Sequence, residues 1–191
     1  MKNYAPENAH FLLPLQFDVE RLTQDLETCQ TYDFLPHYVP SNHDGKNYLL
    51  PLRSQGGKLN FPIASPNAQA DYQDTEVMDA CPYFREVADT FKCEKETIRL
   101  MNLEAGKVMH THTDYMLGYE DGVFRIHIPI VTNEHVKFTL NGQLLMMLPG
   151  ETWYTNVNLP HGVVNGGTTD RVHLVIDCIR NQWTDKLFAQ A

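Results

Sequence analysis

The feature that most constrains the fold is the alternation of apolar and polar residues in the second half of the chain. From Thr97 onward, short segments with apolar residues at every second position are separated by turn residues. This period is typical of β-strands, because successive side chains point to opposite faces. Asn141-Gly142 between two segments is a strong hairpin signal. The candidate strands are TIRLMNL, GKVMHTH, VFRIHIPIV, VKFTL, QLLMML, ETWYT, HGVVN and RVHLVIDC.

Many short strands with tight turns predict a sandwich or a jelly-roll barrel. The first half of the chain instead shows helical periodicity. One helix is predicted from Asp18, as N-cap, to Gln30, and a second helix begins near Pro82. We expect these helices to pack outside a barrel formed by the second half. Their apolar stripes are Val19, Leu22, Leu26 and Cys29, and Phe84, Val87, Ala88 and Phe91.

The segment from Thr31 to Asp74 is predicted to be irregular, because prolines interrupt it repeatedly. A loop of this length is either a cover over a functional site or a surface loop with a few core anchors. The expected organisation is one domain over 1–191. Residues 1–96 would give helical and loop support and a substrate cover, and 97–180 would form the β core. The prolines are Pro36, Pro40, Pro51, Pro62 and Pro66.

Composition excludes several classes of protein. The 191 residues are 42% hydrophobic and 20% charged, which is typical of a globular domain. The formal net charge of -9 disfavours nucleic acid and anionic membranes as partners. No apolar stretch approaches the ~20 residues of a membrane span, and Met1–Leu15 lacks a signal-peptide pattern. We therefore expect a cytoplasmic protein whose four cysteines are reduced thiols.

Two predicted strands share an unusual pattern. In VFRIHIPIV, Arg125 and His127 share the face opposite to the isoleucines. In RVHLVIDC, Arg171 and His173 likewise share the face opposite to the apolar side chains. Both faces could simply meet water. If they line the barrel interior, two guanidinium groups enter one cavity and need anions. Arginine pairs well with carboxylates, so a dicarboxylate ligand would satisfy both.

A possible metal site lies in the stretch MHTHTD. His112 and Asp114, two residues apart, offer an imidazole and a carboxylate, and His161 offers a third ligand. Two histidines and one carboxylate form the facial triad of non-haem Fe(II) oxygenases. His110, His112 and His161 would instead form an all-imidazole site, as for Zn(II). Arg171, ten residues after His161, strengthens the metal interpretation over a histidine-rich turn without a metal.

The segment from Arg99 to Cys178 resembles the aspartyl/asparaginyl beta-hydroxylase family of Fe(II)/2-oxoglutarate-dependent oxygenases. Within that family it is most similar to the bacterial hydroxylases of free amino acids. The matching stretches are HTDY, FRIHIPIVTN, LPGETWYTNVNLPH and RVHLVID, with FDVERLTQDL near the N-terminus. The resemblance implies a double-stranded beta-helix, which is a cupin-like jelly roll, and agrees with the mainly β pattern with flanking helices.

The resemblance also implies the site. His112, Asp114 and His161 correspond to the iron ligands, and His110 then has no ligand role. Further residues correspond to contacts of the co-substrate 2-oxoglutarate. They are Arg171, on its distal carboxylate, and Arg125 and His127. Where some members have a serine that helps to hold the co-substrate, this chain has Met101, which cannot donate a hydrogen bond.

The predicted activity is hydroxylation of a free amino acid, or of an amino-acid side chain in a peptide or protein. Fe(II) would be the metal, and 2-oxoglutarate and O2 would be consumed with a small-molecule substrate. Substrate contacts are predicted more weakly, from position along the chain alone. These candidates are Arg53, Tyr115, Trp153 and Asn156.

The alternative is a metal-binding cupin that does not use 2-oxoglutarate, such as an isomerase, another dioxygenase or a sensor. H-x-H in MHTHTD and H-x-x-x-N in HGVVN are cupin-like. Against it, Glu120 lies too far from the H-x-H pair, and Arg171 has no role. A third possibility is a jelly-roll binding module without catalysis, which the intact triad disfavours.

Overall fold

The structure is a computed structural model that describes residues 9–60 and 70–191. The strands are β1 His10–Gln16, β2 Leu35–Pro36, β3 Asn47–Gln55, β4 Tyr72–Asp74, β5 Lys95–Leu103, β6 Val108–His112, β7 Val123–Val131, β8 Val136–Leu140, β9 Gln143–Leu145, β10 Glu151–Thr155, β11 His161–Asn165 and β12 Arg171–Ile179. The helices are α1 Val19–Cys29, α2 Glu76–Ala80, α3 Pro82–Thr90 and α4 Gln182–Phe188. None of these helices is long and apolar enough to cross a bilayer.

Two antiparallel sheets form a double-stranded beta-helix, as predicted. In the part of the chain that the structure describes, the large sheet has the order β1-β10-β7-β12-β5-β3-β2, with β4 added beside β3. The small sheet has the order β6-β11-β8-β9. Each of the candidate strand segments contains a strand. The segment QLLMML is shorter than predicted, because β9 ends at Leu145.

The outer face of the large sheet is apolar and packs against the helices. The even-numbered side chains of β7 and β12 join α1, α3 and α4 in one buried core. Each large apolar side chain buried there stabilises the fold by roughly 1.5–3 kcal/mol. Asp18 caps α1 by accepting from the backbone N–H groups of Glu20 and Arg21, which confirms the predicted helix start. In the stripe of α1, only Val19 is exposed.

The prediction that Thr31–Asp74 has no regular structure is wrong. Residues Asn47–Gln55 form β3, which lies in the large sheet beside β5. β3 is buried on both faces at Leu49, Leu50 and Leu52, so its sequence lacks the alternation that marks a half-exposed strand. Pro51 is tolerated because the register with β5 shifts there. Pro62 and Pro66 lie outside the described residues, so part of the expected cover does too.

β1 shows a second departure from the expected division of the chain. It pairs with β10 at the edge of the large sheet. Residues from the first half of the chain therefore extend the sheet on both sides, through β1 and β3, as well as supplying helices.

The inner face of the large sheet carries a buried network of charges. Asp177 on β12 is fully buried and accepts hydrogen bonds from Arg99 Nη1 at 2.9 Å and Arg125 Nε at 2.8 Å. Thr97 Oγ1 donates to the same carboxylate at 2.8 Å. Burial alone raises the pKa of Asp177, but the charges of Arg125 and Arg99 outweigh it and hold that pKa well below its usual range. Arg125 also pairs with Asp114.

We expect Asp177→Asn to lower the free energy of unfolding by about 3–5 kcal/mol, because it leaves two buried guanidinium groups short of an anion. Asp79→Asn is the matched control, since Asp79 pairs with Arg85 at the surface and its side chain is 74% exposed. The control should change stability by less than about 1 kcal/mol. Urea denaturation measures both changes, and equal losses would contradict the structural importance of the network.

Candidate active site

A cavity between the inner faces of the two sheets holds the predicted site. The space within it, including its open mouth, is about 620 Å³. Side chains from both sheets converge on it, because inward-pointing residues alternate with outward-pointing ones along each strand. The predicted residues that line it are His112, Asp114, His161, Arg125, His127 and Arg171.

Three of these residues form a cluster suited to a metal ion. Potential ligand atoms of His112, Asp114 and His161 lie within 4.8 Å of one another. His112 ends β6, Asp114 follows two residues later, and His161 begins β11 directly opposite His112. The imidazole rings of the two histidines are 4.3 Å apart between centroids.

Backbone carbonyls fix the orientation of both histidines. His112 Nδ1 donates to the carbonyl of His110 at 2.7 Å, and His161 Nδ1 donates to the carbonyl of Leu159 at 3.0 Å. Since a carbonyl only accepts, each ring carries its proton on Nδ1 and leaves Nε2 free as a metal ligand. Burial lowers the pKa of His161 to about 4, so this imidazole is neutral near pH 7.

A β-bulge separates the side chains of the two ligand sets that the sequence left open. His161 pairs with His112 and Val163 pairs with Met109, so two steps along β11 match three along β6. The extra residue turns Met109 and His112 both inward and leaves His110 exposed. The structure therefore brings together His112, Asp114 and His161 and keeps the side chain of His110 outside.

Gly162 lets the two strands approach at this bulge. A Cβ atom at this position would lie 3.1 Å from the carbonyl oxygen of Met109 and 3.2 Å from the backbone nitrogen of Thr111. These are tighter than ordinary contacts, so the absence of a side chain helps β11 to carry His161 close to His112.

Arg125 meets protein anions, which corrects the expectation that one ligand satisfies both arginines. Its guanidinium pairs with Asp177 and with Asp114. Burial raises the pKa of Asp114, but the charge of Arg125 and the two triad histidines lower it overall, so the carboxylate is ionised. In this structure Arg125 orients the carboxylate of the triad, and a contact with a co-substrate stays a prediction.

Arg171 lies in the same cavity and pairs with no carboxylate of the described residues. Its Nη2 contacts His173 Nδ1 at 2.8 Å, and its buried Nε has no hydrogen-bond partner among residues 9–60 and 70–191. The guanidinium lies over the ring of Phe138, at 5.8 Å from its centroid. Burial lowers the pKa of Arg171 to about 9, so the group stays cationic at neutral pH. A buried cation without an anion indicates a ligand site.

One further polar side chain of the cavity has an unsatisfied atom within the described part of the chain. His127 is buried, and its Nδ1 has no partner within the described residues. Burial lowers its pKa well below the usual value, so the ring is neutral. Met101 lines the cavity and pairs in register with His173 on β12. No role was predicted for His173. The R-x-H pattern on β12 placed it on the same face of the strand as Arg171.

The four weaker substrate candidates do not line this cavity. Arg53 is held by Asp74 and by the carbonyls of Tyr72 and Lys95, while Tyr115 is 85% exposed. Trp153 donates to Glu151, and Asn156 donates to Glu120. Substrate contacts by Arg53, Tyr115, Trp153 and Asn156 therefore gain no support from their positions.

Several residues that line the cavity were not predicted from the sequence, and three of them carry a charge or a polar ring. His37 and Tyr38 come from the segment expected to be irregular, and Arg99 comes from β5. The signal for Arg99 was its alternation with Met101, which places both side chains on the inner face. No local pattern marks His37 and Tyr38, because the pairing of β2 with β3 brings them to the cavity.

The sequence is similar to those of two curated L-proline hydroxylases. The chain is 30% identical over 173 residues to L-proline cis-4-hydroxylase of Rhizobium meliloti (strain 1021), covering 89% of this chain and 60% of that protein. It is 25% identical to L-proline cis-3-hydroxylase 1 of Streptomyces sp, covering 88% of this chain and 59% of that protein. The chain thus spans about three fifths of the length of these curated relatives.

Solved structures show the same fold. An oxidoreductase of the 2OG-Fe(II) oxygenase family from Burkholderia pseudomallei superposes with a TM-score of 0.59 at 14% identity, covering 92% of this chain and 87% of that chain. A prolyl-4-hydroxylase from Pseudomonas putida gives 0.58 at 12% identity, covering 92% and 97%. A family model described as aspartyl/asparaginyl beta-hydroxylase matches residues 20–181. The chain therefore belongs to the aspartyl/asparaginyl beta-hydroxylase family.

Proposed function

We propose that the chain is an Fe(II)/2-oxoglutarate-dependent dioxygenase that hydroxylates a free amino acid or an amino-acid side chain. The observation that carries this proposal is one cavity that contains a two-histidine, one-carboxylate cluster and a buried arginine that meets no anion from residues 9–60 and 70–191. The names of the curated relatives, both L-proline hydroxylases, favour a small amino acid as substrate. A cytoplasmic location and a single domain over 1–191 belong to the same proposal.

The donor set fits Fe(II). His112 and His161 would bind through Nε2, and Asp114 would bind through its carboxylate. Three protein ligands leave positions open for a co-substrate and O2, which is the arrangement of non-haem iron oxygenases. The hydrogen bonds from both Nδ1 atoms and the pair between Arg125 and Asp114 hold the ligands in place before a metal binds.

The unsatisfied groups fit 2-oxoglutarate. Arg171 would pair with the distal carboxylate, because a guanidinium fork matches a carboxylate and no residue in the described ranges gives it an anion. His127, with a free buried Nδ1, would contribute a further polar contact. Met101 supplies no donor, so a larger share of co-substrate binding falls on Arg171 than in a pocket that also offers a hydroxyl.

Bound Fe(II) and 2-oxoglutarate supply the activation of O2 and the oxidising power for hydroxylation, with succinate and CO2 as the co-substrate's products. The chain's own residues bind, orient and exclude water. Arg125 keeps Asp114 ionised and aimed at the other ligands. Phe138, Leu103 and Val163 form an apolar wall of the cavity that strengthens the charged contacts at Arg171.

The proposed activity is tested by incubating the protein with Fe(II), 2-oxoglutarate, ascorbate, oxygen-18 gas and a mixture of amino acids and peptides. We expect succinate, and a product heavier than its substrate by one oxygen-18 atom in mass spectrometry. A preparation with no metal added is the control. Absence of both products across the mixture would contradict the proposal.

Arg171→Gln should weaken 2-oxoglutarate binding by about a hundredfold, because it removes a charge-assisted pair from a buried site. Iron affinity should change by less than about twofold, since Arg171 is not a ligand. Arg180→Gln is the control, because Arg180 pairs with Asp185 at the surface. Calorimetric titration under nitrogen measures the affinities. Unchanged 2-oxoglutarate affinity in Arg171→Gln would favour a cupin that does not use this co-substrate.

His161→Ala should lower Fe(II) affinity by at least about a hundredfold, since it removes a ligand from the cluster. His110→Ala is the matched control, because His110 is exposed on the adjacent strand and its side chain lies outside the cluster. Equilibrium dialysis under nitrogen gives both affinities. Loss of iron in His110→Ala together with retention in Asp114→Ala would move the ligand set to histidines alone.

A further inference from the structure

The four cysteines form two pairs of neighbouring thiols that take no part in the proposed iron chemistry. Cys29 ends α1 and Cys81 directly precedes α3, and their Sγ atoms lie 3.5 Å apart. Cys93 lies shortly before β5, within hydrogen-bonding reach of Cys178 on β12. All four are free thiols. Two adjacent thiols can be oxidised to one disulfide, so each pair is a candidate for this modification.

Exposure to solvent distinguishes the two pairs. Cys29 and Cys81 are fully buried in the apolar core, where the hydrogen bond between them and burial raise the pKa of Cys29 well above its usual value. Cys93 is partly exposed and lines a second cavity, between α3 and the edge of the large sheet beside β4. A cysteine reacts as its thiolate, and only where a reagent reaches it. The pair that contains Cys93 is therefore the reactive one.

Two hydrogen bonds hold Cys93 next to Cys178. The carbonyl of Glu94, directly after Cys93, accepts from the backbone N–H of Ile179 at 2.8 Å. The carbonyl of the residue before Cys93 accepts from the side-chain amide of Asn181 at 2.9 Å. Both donors follow Cys178 closely, so the chain on either side of Cys93 is tied to the same end of β12. Cys178 belongs to the apolar core on the outer face of the sheet, so the pair is separate from the candidate active site.

The two thiols differ in their tendency to ionise. A hydrogen bond from Cys178, helped by the charge of Lys95, lowers the pKa of Cys93 despite its partial burial. Cys178 is fully buried, and burial together with the neighbouring Cys93 raises the pKa of Cys178 well above its usual value. In such a coupled pair one thiol ionises while the other keeps its proton. Cys93 is therefore the nucleophile, and Cys178 is placed as the second thiol that redox-sensitive sites hold beside the first.

The charge of the second cavity indicates which reagent it favours. Among the described residues that line it, five side chains are acidic and three are basic. The basic ones are Arg53, Arg85 and Lys95, and the first two both pair with Asp74. The surplus of carboxylates gives the cavity a negative potential, which raises the local concentration of cations. A positively charged reagent is therefore favoured over an anionic one.

We propose that Cys93 is a site of thiol-disulfide exchange with small cationic disulfides and that Cys178 completes the exchange. The product is a disulfide that joins Cys93 to Cys178 on the side of the sheet opposite to the candidate active site. Neither iron nor 2-oxoglutarate takes part. The inference therefore goes beyond the proposed dioxygenase function, and it stands or falls independently of that function.

The exchange proceeds in two balanced steps. The Cys93 thiolate attacks one sulfur of the reagent RSSR, which forms a mixed disulfide and expels RS⁻, and RS⁻ takes up a proton. Cys178 then loses its proton to solvent, and its sulfur attacks Sγ of Cys93 and expels the second RS⁻, which is protonated in turn. Two protein thiols are thereby oxidised to one disulfide, while RSSR is reduced to two molecules of RSH. In the mixed disulfide Cys93 carries no charge, so it no longer opposes the ionisation of Cys178.

The first test identifies the product in the unaltered protein. The reduced full chain is incubated with excess cystamine under nitrogen, the remaining thiols are alkylated in urea, and the peptides are analysed by mass spectrometry. We expect a disulfide between Cys93 and Cys178, with Cys29 and Cys81 alkylated. Three results would each overturn the proposal: no reaction at Cys93, faster oxidation of the Cys29 and Cys81 pair, or a mixed disulfide at Cys93 that never converts to the cross-link.

Single substitutions separate the two roles. Cys93→Ser should slow the loss of protein thiols at least about tenfold, because it removes the accessible nucleophile. Cys178→Ala should stop the reaction at a mixed disulfide, one cysteamine heavier at Cys93. It should also move the pH midpoint of the reaction upwards, since Cys93 loses its hydrogen-bond donor. Cys81→Ala is the matched control, because it removes a buried thiol of the other pair, and its rate should change less than about twofold. An unchanged rate in Cys93→Ser would refute the assignment.

The preference for a cation is tested with three disulfides of similar size. Cystamine carries amino groups, hydroxyethyl disulfide is uncharged, and dithiodipropionate carries carboxylates. Each rate with the protein is divided by the rate of the same disulfide with mercaptoethanol, which removes differences between the leaving thiols. We expect cystamine to exceed dithiodipropionate by about tenfold at low ionic strength and by less in high salt. Equal rates or the reverse order would contradict the charge preference.

Discussion

The carboxylate of Asp177 is the interaction on which the site depends. It lies fully buried within the large sheet and is shared by Arg99 and Arg125. Arg125 in turn pairs with Asp114, so one anion on β12 fixes the direction of a carboxylate in the metal cluster. Such a network costs desolvation free energy that an apolar face would not, and it is stable because every charge in it is paired. As a result, the side chains of the cavity wall are oriented before any ligand binds.

The two faces of the large sheet have different roles, since the outer face stabilises the fold and the inner face lines the cavity. Its outer face packs apolar side chains against the helices and belongs to the larger of the two buried apolar clusters among the described residues. Its inner face carries arginine, histidine and aspartate. A second, smaller apolar cluster around Phe138 and Met109 closes the space between the sheets. Charged residues on the inner face are tolerated because the outer face stabilises the fold without them, which leaves the inner face free to serve binding.

The alternation of β7 and β12 predicted both strands and placed their arginines on the face opposite to the apolar side chains. It left open whether that face meets water or the barrel interior, because alternation alone does not show which face is covered. It did not predict β3, because a strand buried on both faces has no alternation. Nor did it predict the bulge in β6, which depends on the partner strand and decides that His112, not His110, faces His161. The residues alone left two candidate ligand sets open, and only the resemblance to a family favoured His112, Asp114 and His161.

Arg125 and Arg171 have the same sequence pattern but different environments, because strand register decides which side chains lie opposite each of them. Each begins an R-x-H pair on a predicted strand, so the alternation within the strand does not distinguish the two arginines. The pairing of β12 with β7 places Asp177 opposite Arg125, so that arginine is neutralised by the protein. Arg171 pairs with Leu103 on β5 instead and meets no carboxylate of the described residues. Strand register therefore determines which cation is structural and which is left for a ligand, and register is a property of the pair of strands rather than of either sequence alone.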